Sequence, residues 1–271
     1  MRWIYRFCAL VLATPLAAAE IGVAGLDALP AADVVILGEV HDNPVHHVNQ
    51  ARAVAALAPK AVVFEMLTAD QAALVAPDLL RDPAGAEAAL GWNAAGWPDF
   101  AMYLPIFLNA APARIYGGAV PREAARGAFE KGAAGVFGDG AGDFGLDLAL
   151  AAADQAGREA EQAAAHCGAL PPDLLPGFVA AQRLRDAVLA RAALQAINIT
   201  GGPVVIITGN GHARRDQGIP AALALAAPGV RVVSVGQLEA EPGPDAPYDL
   251  WLITAPYPRE DPCAAFAPPK P

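Results

Sequence analysis

Two short apolar runs, Val34-Val35-Ile36-Leu37 and Ala61-Val62-Val63-Phe64, set the pattern of the chain. Both are rich in β-branched residues and do not alternate with polar ones, so they read as parallel strands covered on both faces. One helix fits between them, with Asn43 as its N-cap, Pro44 as its first residue and an apolar pattern from Ala51 to Ala58 that stops at Pro59. This is a βαβ unit. The same logic predicts strands at 114–118, 203–208 and 231–235, a crossover helix at 219–227, and a strand at 248–254 closing an edge of the sheet. The expected fold class is therefore α/β, a mainly parallel open sheet flanked by helices. Two segments break the rhythm. Residues 68–112 hold helical turns but no good strand, and 122–198 read as helices around a Gly-rich gap, with Phe178 to Ile197 almost free of breakers. Such helical insertions are expected to cover the C-terminal edge of the strands and build a ligand cavity. A single domain at 20–254 followed by a Pro-rich tail at 255–271 results.

The first nineteen residues read differently. Arg2 and Arg6 form a basic start, Phe7 to Leu12 an apolar run, and Ala17-Ala18-Ala19 a small-residue site, the pattern of a secretory signal peptide cleaved after Ala19. Cys8 lies inside the apolar run rather than just after a cleavage site, so it does not make a lipoprotein signal. No other window is apolar enough to span a bilayer. The expected location is periplasmic or secreted. The net charge of −10 becomes −12 without Arg2 and Arg6, which argues against a nucleic-acid binder. Of three cysteines, Cys167 and Cys263 stay in the mature chain and can pair in an oxidising compartment; two unpaired buried thiols are the alternative.

Candidate chemistry gathers at strand ends. The first strand runs into Gly38-Glu39-Val40-His41, the second into Glu65-Met66, and a later one into Gly209-Asn210-Gly211-His212. In an open parallel sheet, ligands bind outside the carboxyl ends of the strands, and neighbouring strands lie about 4.8 Å apart. Glu39, His41, Glu65 and His212 can thus converge, each glycine letting the backbone turn sharply before the imidazole. A carboxylate placed directly after an apolar strand is costly to desolvate unless it is paired or metal-bound. These four residues are candidates for a divalent-metal site, with Glu39 or Glu65 as general base of a hydrolase; the plainer reading gives the glutamates to backbone N–H groups and the histidines to packing. His46 and His47 read as exposed residues of a helix start, or else as additions to a metal or ligand cluster with His41. His166 has no visible partner. Trp97, Phe100, Tyr103 and Phe107 recur at helical spacing up to Pro105 and read as core, or else as a flat apolar wall for a planar ligand whose hard donor is the Tyr103 hydroxyl. Gly138 to Asp143 fits neither a phosphate loop nor a calcium loop and reads as a mobile loop. No Gly-x-Ser-x-Gly or placed cysteine suggests a covalent hydrolase.

The motifs at 36–43 and 63–66, Tyr103-Leu104-Pro105, Gln182-Arg183-Leu184-Arg185-Asp186, and Gly209 to His212 with Gly218-Ile219-Pro220 together resemble the ChaN-like family of haem-binding, iron-regulated bacterial proteins. That family sits in a superfamily with Tiki, TraB and erythromycin-esterase-like proteins. The resemblance implies an exported α/β protein that handles haem, held between two protomers of a homodimer, with envelope haem-uptake components as partners. It also implies a tyrosine on the iron, here Tyr103, and a histidine and a lysine on the propionates. His166 is the candidate for the histidine. None of Lys60, Lys131 and Lys270 sits in a matching motif, and Arg183 or Arg185 would take the lysine's place. The superfamily's metal-dependent hydrolases imply the alternative activity.

Overall fold

The computed structural model describes residues 18–261, 263 and 264. The leader's basic start and apolar run lie outside them. In chain order the elements are β1 (Ala19–Glu20), β2 (Val34–Glu39), α1 (Pro44–Leu57), β3 (Ala61–Phe64), α2 (Ala69–Leu74), α3 (Pro83–Ala89), α4 (Trp92–Ala95), α5 (Phe100–Ala110) and β4 (Arg114–Gly117). The second half adds α6 (Arg122–Phe137), α7 (Ala152–Ala165), α8 (Leu175–Thr200), β5 (Val204–Gly209), α9 (Asn210–Ala213), α10 (Ile219–Ala226), β6 (Val232–Leu238) and β7 (Leu250–Ile253).

The strands make one sheet in the order β1-β7-β6-β2-β5-β3-β4, with each neighbouring pair parallel. Alternate strand residues feed two separate cores. Val35, Leu37, Val62, Phe64, Val205 and Ile207 join one, and Val34, Ile36, Val63, Val204 and Ile206 the other. This explains the unalternating runs, because a strand with a packed layer on each side has no face left for polar residues. The predicted edge strand β7 is in fact interior, since β1 pairs with it through Ala19 and Leu250. A two-residue strand carries no periodicity by which to foresee it. The predicted cleavage point falls between Ala19 and Glu20, inside that strand. Among the described residues no helix is long and apolar enough to cross a membrane.

The two insertions take opposite faces. In the first, α5 runs on through Pro105, and Phe100, Tyr103 and Phe107 are buried against Trp92 and Phe64. Three members of the aromatic stripe, Phe100, Tyr103 and Phe107, are therefore core, while Trp97 is only partly buried, and Phe107 stacks on Phe64 with ring centroids 4.2 Å apart. In the second, α6 and α8 pack together over the other core, and α7 follows the Gly-rich turn. That turn is not a loose loop. Ala141 to Phe144 form a 3₁₀ turn whose Ala141 and Phe144 are buried beside Phe137. Cys167, just after α7, is joined by a disulfide to Cys263 of the tail, 96 residues on.

Candidate functional site

Register brings the strand-end residues together. Glu39 lies opposite Gly209, and Phe64 opposite Ile207, so Glu65 continues level with Thr208 and Gly209. Asn43 caps α1 by accepting the Val45 N–H at 3.0 Å, which turns the chain back just beyond His41. The glycines of the two Gly-x-x-His segments serve by their smallness rather than by a sharp turn. Both sit in strands without positive φ, but a Cβ on Gly209 would come 2.8 Å from His41 Nε2, and one on Gly38 would come 2.4 Å from Asn210 Oδ1.

Two polar assemblies form at this rim. In the first, buried Glu39 accepts the Tyr103 hydroxyl at 2.6 Å and the His41 Nδ1–H at 2.7 Å on one oxygen, while His47 Nδ1 lies 3.3 Å from the other. Burial works against the Glu39 charge, but the His41 and His47 contacts hold its carboxyl down to about 2. Burial likewise opposes a charged His41. The hydrogen bond to Glu39 and the charges of Glu65, Glu39 and Asp42 outweigh it and push the ring up to about 9. In the second assembly, His212 Nδ1 donates to Asp186 at 2.6 Å, and its Nε2 lies 3.5 Å from Glu65. Glu65 also accepts the Thr208 hydroxyl at 2.7 Å and the Gly209 N–H at 2.8 Å. Burial disfavours the His212 cation, yet the Glu65 and Asp186 charges raise its pKa.

The links show how the strand-end residues meet, and burial corrects one expectation. Glu39, His41, Glu65 and His212 converge, but as two imidazole–carboxylate assemblies and not as one ligand set. Among the described residues no group of three or more His, Cys, Asp or Glu is arranged to hold an ion. One oxygen of Glu39 serves Tyr103 and His41, and one oxygen of Glu65 serves Thr208 and Gly209. His46 and His47 are buried, not exposed. His46 accepts the Val40 N–H at 2.8 Å and contacts Thr254 Oγ1 at 2.7 Å, and burial lowers its pKa to about 4, so it is a neutral structural bridge between α1 and the end of β7.

The raised His41 predicts a pH dependence of stability. A folded-state pKa of about 9 against an ordinary 6.5 means that the stabilisation is complete below 6.5 and is lost as pH rises through 9. Thermal melts of the wild type should fall across that window, and His41→Gln should flatten the fall. Parallel pH profiles for the two proteins would remove the charged His41–Glu39 pair.

Beside the assemblies, a cavity of about 710 Å³ opens between the sheet edge and the second insertion. His41, Glu65 and His212 form its floor, and the first insertion contributes Trp97, which meets His41 edge-on at 5.2 Å. From α6 come Arg122, Arg126 and Phe129, and from α8 Phe178 and Arg185, with His166 at the C-terminal end of α7. Two of the four residues expected to face haem, His166 and Arg185, line this cavity. Tyr103 does not; it is fully buried with its hydroxyl on Glu39. Arg183 points the other way, donating to the carbonyls of Gly145 and Leu148. Sequence reasoning missed Arg122, Arg126 and Phe129, although their helical spacing places them on one face of α6. It also missed Asp186 as the partner of His212, a pairing no local pattern announces.

Residues 26–223 match the family described as haem-binding uptake, Tiki superfamily, ChaN. The chain belongs to that family. No curated protein matches its sequence. Its fold is similar to that of a solved structure described as cofacial heme binding to ChaN of Campylobacter jejuni, with a TM-score of 0.61 and 18% identity over 84% of this chain and 89% of that one. A structure of the type III effector HopBA1 covers 86% of this chain and 92% of its own, at 10% identity and a TM-score of 0.47.

Proposed function

We propose that the chain binds haem in the cavity at the sheet edge. The observation that carries this reading is the lining itself, which suits a flat, apolar dianion. Trp97, Phe129, Phe178 and Leu174 supply aromatic and aliphatic walls, Arg122, Arg126 and Arg185 supply cations for two propionates, and histidines supply nitrogen donors. The volume lies within the roughly 300–1,000 Å³ of ordinary ligand sites. Haem, when bound, would supply a redox-active iron, and the cavity residues would hold the macrocycle, neutralise its carboxylates and keep water from one face. His41 and His212, both held toward their cationic forms by carboxylates, add positive charge at the floor.

Export followed by haem handling in the cell envelope fits the leader pattern and the Cys167–Cys263 disulfide, since such bonds persist in oxidising compartments. Phe129 and Leu174 are exposed at the cavity rim. That favours a homodimer when haem is bound, the second protomer covering the open side. Envelope haem-uptake components are the expected partners.

Hemin titration followed by tryptophan fluorescence tests the reading, because Trp97 lies in the cavity wall. Saturable quenching is expected, and Arg126→Glu should weaken binding about 10-fold, the effect of losing one charge-assisted contact worth about 1.4 kcal/mol. Absence of saturable binding, or unchanged affinity in Arg126→Glu combined with Arg185→Glu, would overturn the site.

A further inference from the structure

Three histidines line the cavity, and their hydrogen bonds give them different chemistry. His41 donates its Nδ1–H to Glu39, and its Nε2 is turned against the space where a Gly209 Cβ would stand, 2.8 Å away. The Glu39 contact holds this ring toward the imidazolium, whose Nε2 carries a proton and not a lone pair. His212 has both nitrogens facing carboxylates, Asp186 at 2.6 Å and Glu65 at 3.5 Å, and is buried. His166 has no carboxylate on its ring. Its Nδ1 lies 2.8 Å from the Gln162 carbonyl oxygen, which only accepts, so the proton sits on Nδ1 and the lone pair on Nε2. None of the hydrogen bonds or ion pairs among the described residues uses that Nε2. The ring is half-buried, and its partner across the cavity wall is Phe178, with centroids 4.9 Å apart.

A backbone carbonyl on Nδ1–H is the arrangement that fixes the tautomer of a metal-ligating imidazole and orients it. The turn carrying His166 is braced as well. The His166 N–H bonds back to Gln162 and Ala163 as α7 ends, and the next residue, Cys167, is tied to the tail by the disulfide. The alternative donor, Tyr103, has its hydroxyl committed to the ionised Glu39 inside the core.

We infer that His166 Nε2 is the axial ligand of the haem iron in this protein, and that the Gln162 carbonyl and the Cys167–Cys263 disulfide position it. The inference rests on the haem reading above. The division of labour is then simple: His166 holds iron, while Arg122, Arg126 and Arg185 hold carboxylates.

The test uses the full chain loaded with hemin, read by resonance Raman in the reduced state for the iron–histidine stretch and in the ferric state for tyrosinate charge-transfer bands, beside tryptophan quenching as an independent measure of binding. The wild type should show the band and Tyr103→Phe should keep it. His166→Gly should lose the band, bind hemin more weakly, and regain both when imidazole is added to fill the vacated site. His166→Tyr should exchange the histidine band for tyrosinate charge-transfer bands, which guards against misreading a folding defect in the glycine variant. A band that survives in His166→Gly, or a wild type showing tyrosinate bands that vanish in Tyr103→Phe, overturns the assignment while quenching still reports a haem site. No quenching in the wild type overturns both.

Discussion

Glu39→Ala should destabilise the fold by about 3–5 kcal/mol, the cost of removing one partner from a buried ionic cluster. The carboxylate is the common acceptor for the Tyr103 hydroxyl at 2.6 Å and the His41 ring at 2.7 Å, with His47 Nδ1 3.3 Å from its second oxygen. Tyr103 and His47 have no exposed surface, so water cannot replace what the substitution removes. Tyr103→Phe is the graded control. It keeps the ring packed between His47 and Trp92 and deletes only one hydrogen bond to a charged group, for about 1–3 kcal/mol. Urea unfolding separates the two. A Glu39→Ala cost equal to or below that of Tyr103→Phe would show that the carboxylate is not the hub. The His41 titration should also fall from about 9, because the hydrogen bond that raises it is gone.

Opening the Cys167–Cys263 disulfide should cost about 2–5 kcal/mol, the usual range for a native bridge closing a long loop. The bridge spans 96 residues and ties the tail to the end of α7, across the side of the sheet where the cavity lies. Other contacts hold the tail less firmly. Arg259 donates to Asp42 at 2.8 Å and to Glu239 at 2.6 Å, but in solvent-accessible positions where an ion pair contributes at most about 1 kcal/mol. Cys263→Ser, and the wild type under reductant, should therefore unfold at lower urea than the oxidised wild type, and by the same amount. An oxidised wild type no more stable than the serine variant would mean that the bridge restrains nothing in the unfolded chain.

Much of this molecule was legible before any coordinates. The runs at Val34 and Ala61 identified double-sided strands, because continuous β-branched sequence is what a strand between two packed layers needs. The Asn43-Pro44 start of α1 followed from capping alone. The convergence of Glu39, His41, Glu65 and His212 on one rim followed from the rule that parallel strands all point their ends the same way. What these residues do there was less legible. Spacing shows that imidazoles and carboxylates share an edge, but not which oxygen meets which proton, and a metal site and a pair of hydrogen-bonded assemblies have the same one-dimensional pattern. The aromatic stripe around Tyr103 was ambiguous for a similar reason, since core and ligand wall are both apolar. The Arg122-Arg126-Phe129 face carried a readable helical spacing, yet nothing in it said which neighbour it would oppose.

By itself the sequence determined the layered α/β architecture, the family, and the chemical stock of the strand ends, because hydrophobic period and local capping act between residues close along the chain. The tertiary structure alone decided that Tyr103 is sealed onto Glu39, that Asp186 claims His212, and that α6 and α8 face Trp97 across a cavity open to His166. Those are contacts between residues 26 to 143 positions apart, such as Asp186 with His212 and Glu65 with Thr208, and only the packing of whole helices against the sheet selects among the many partners that residue chemistry permits.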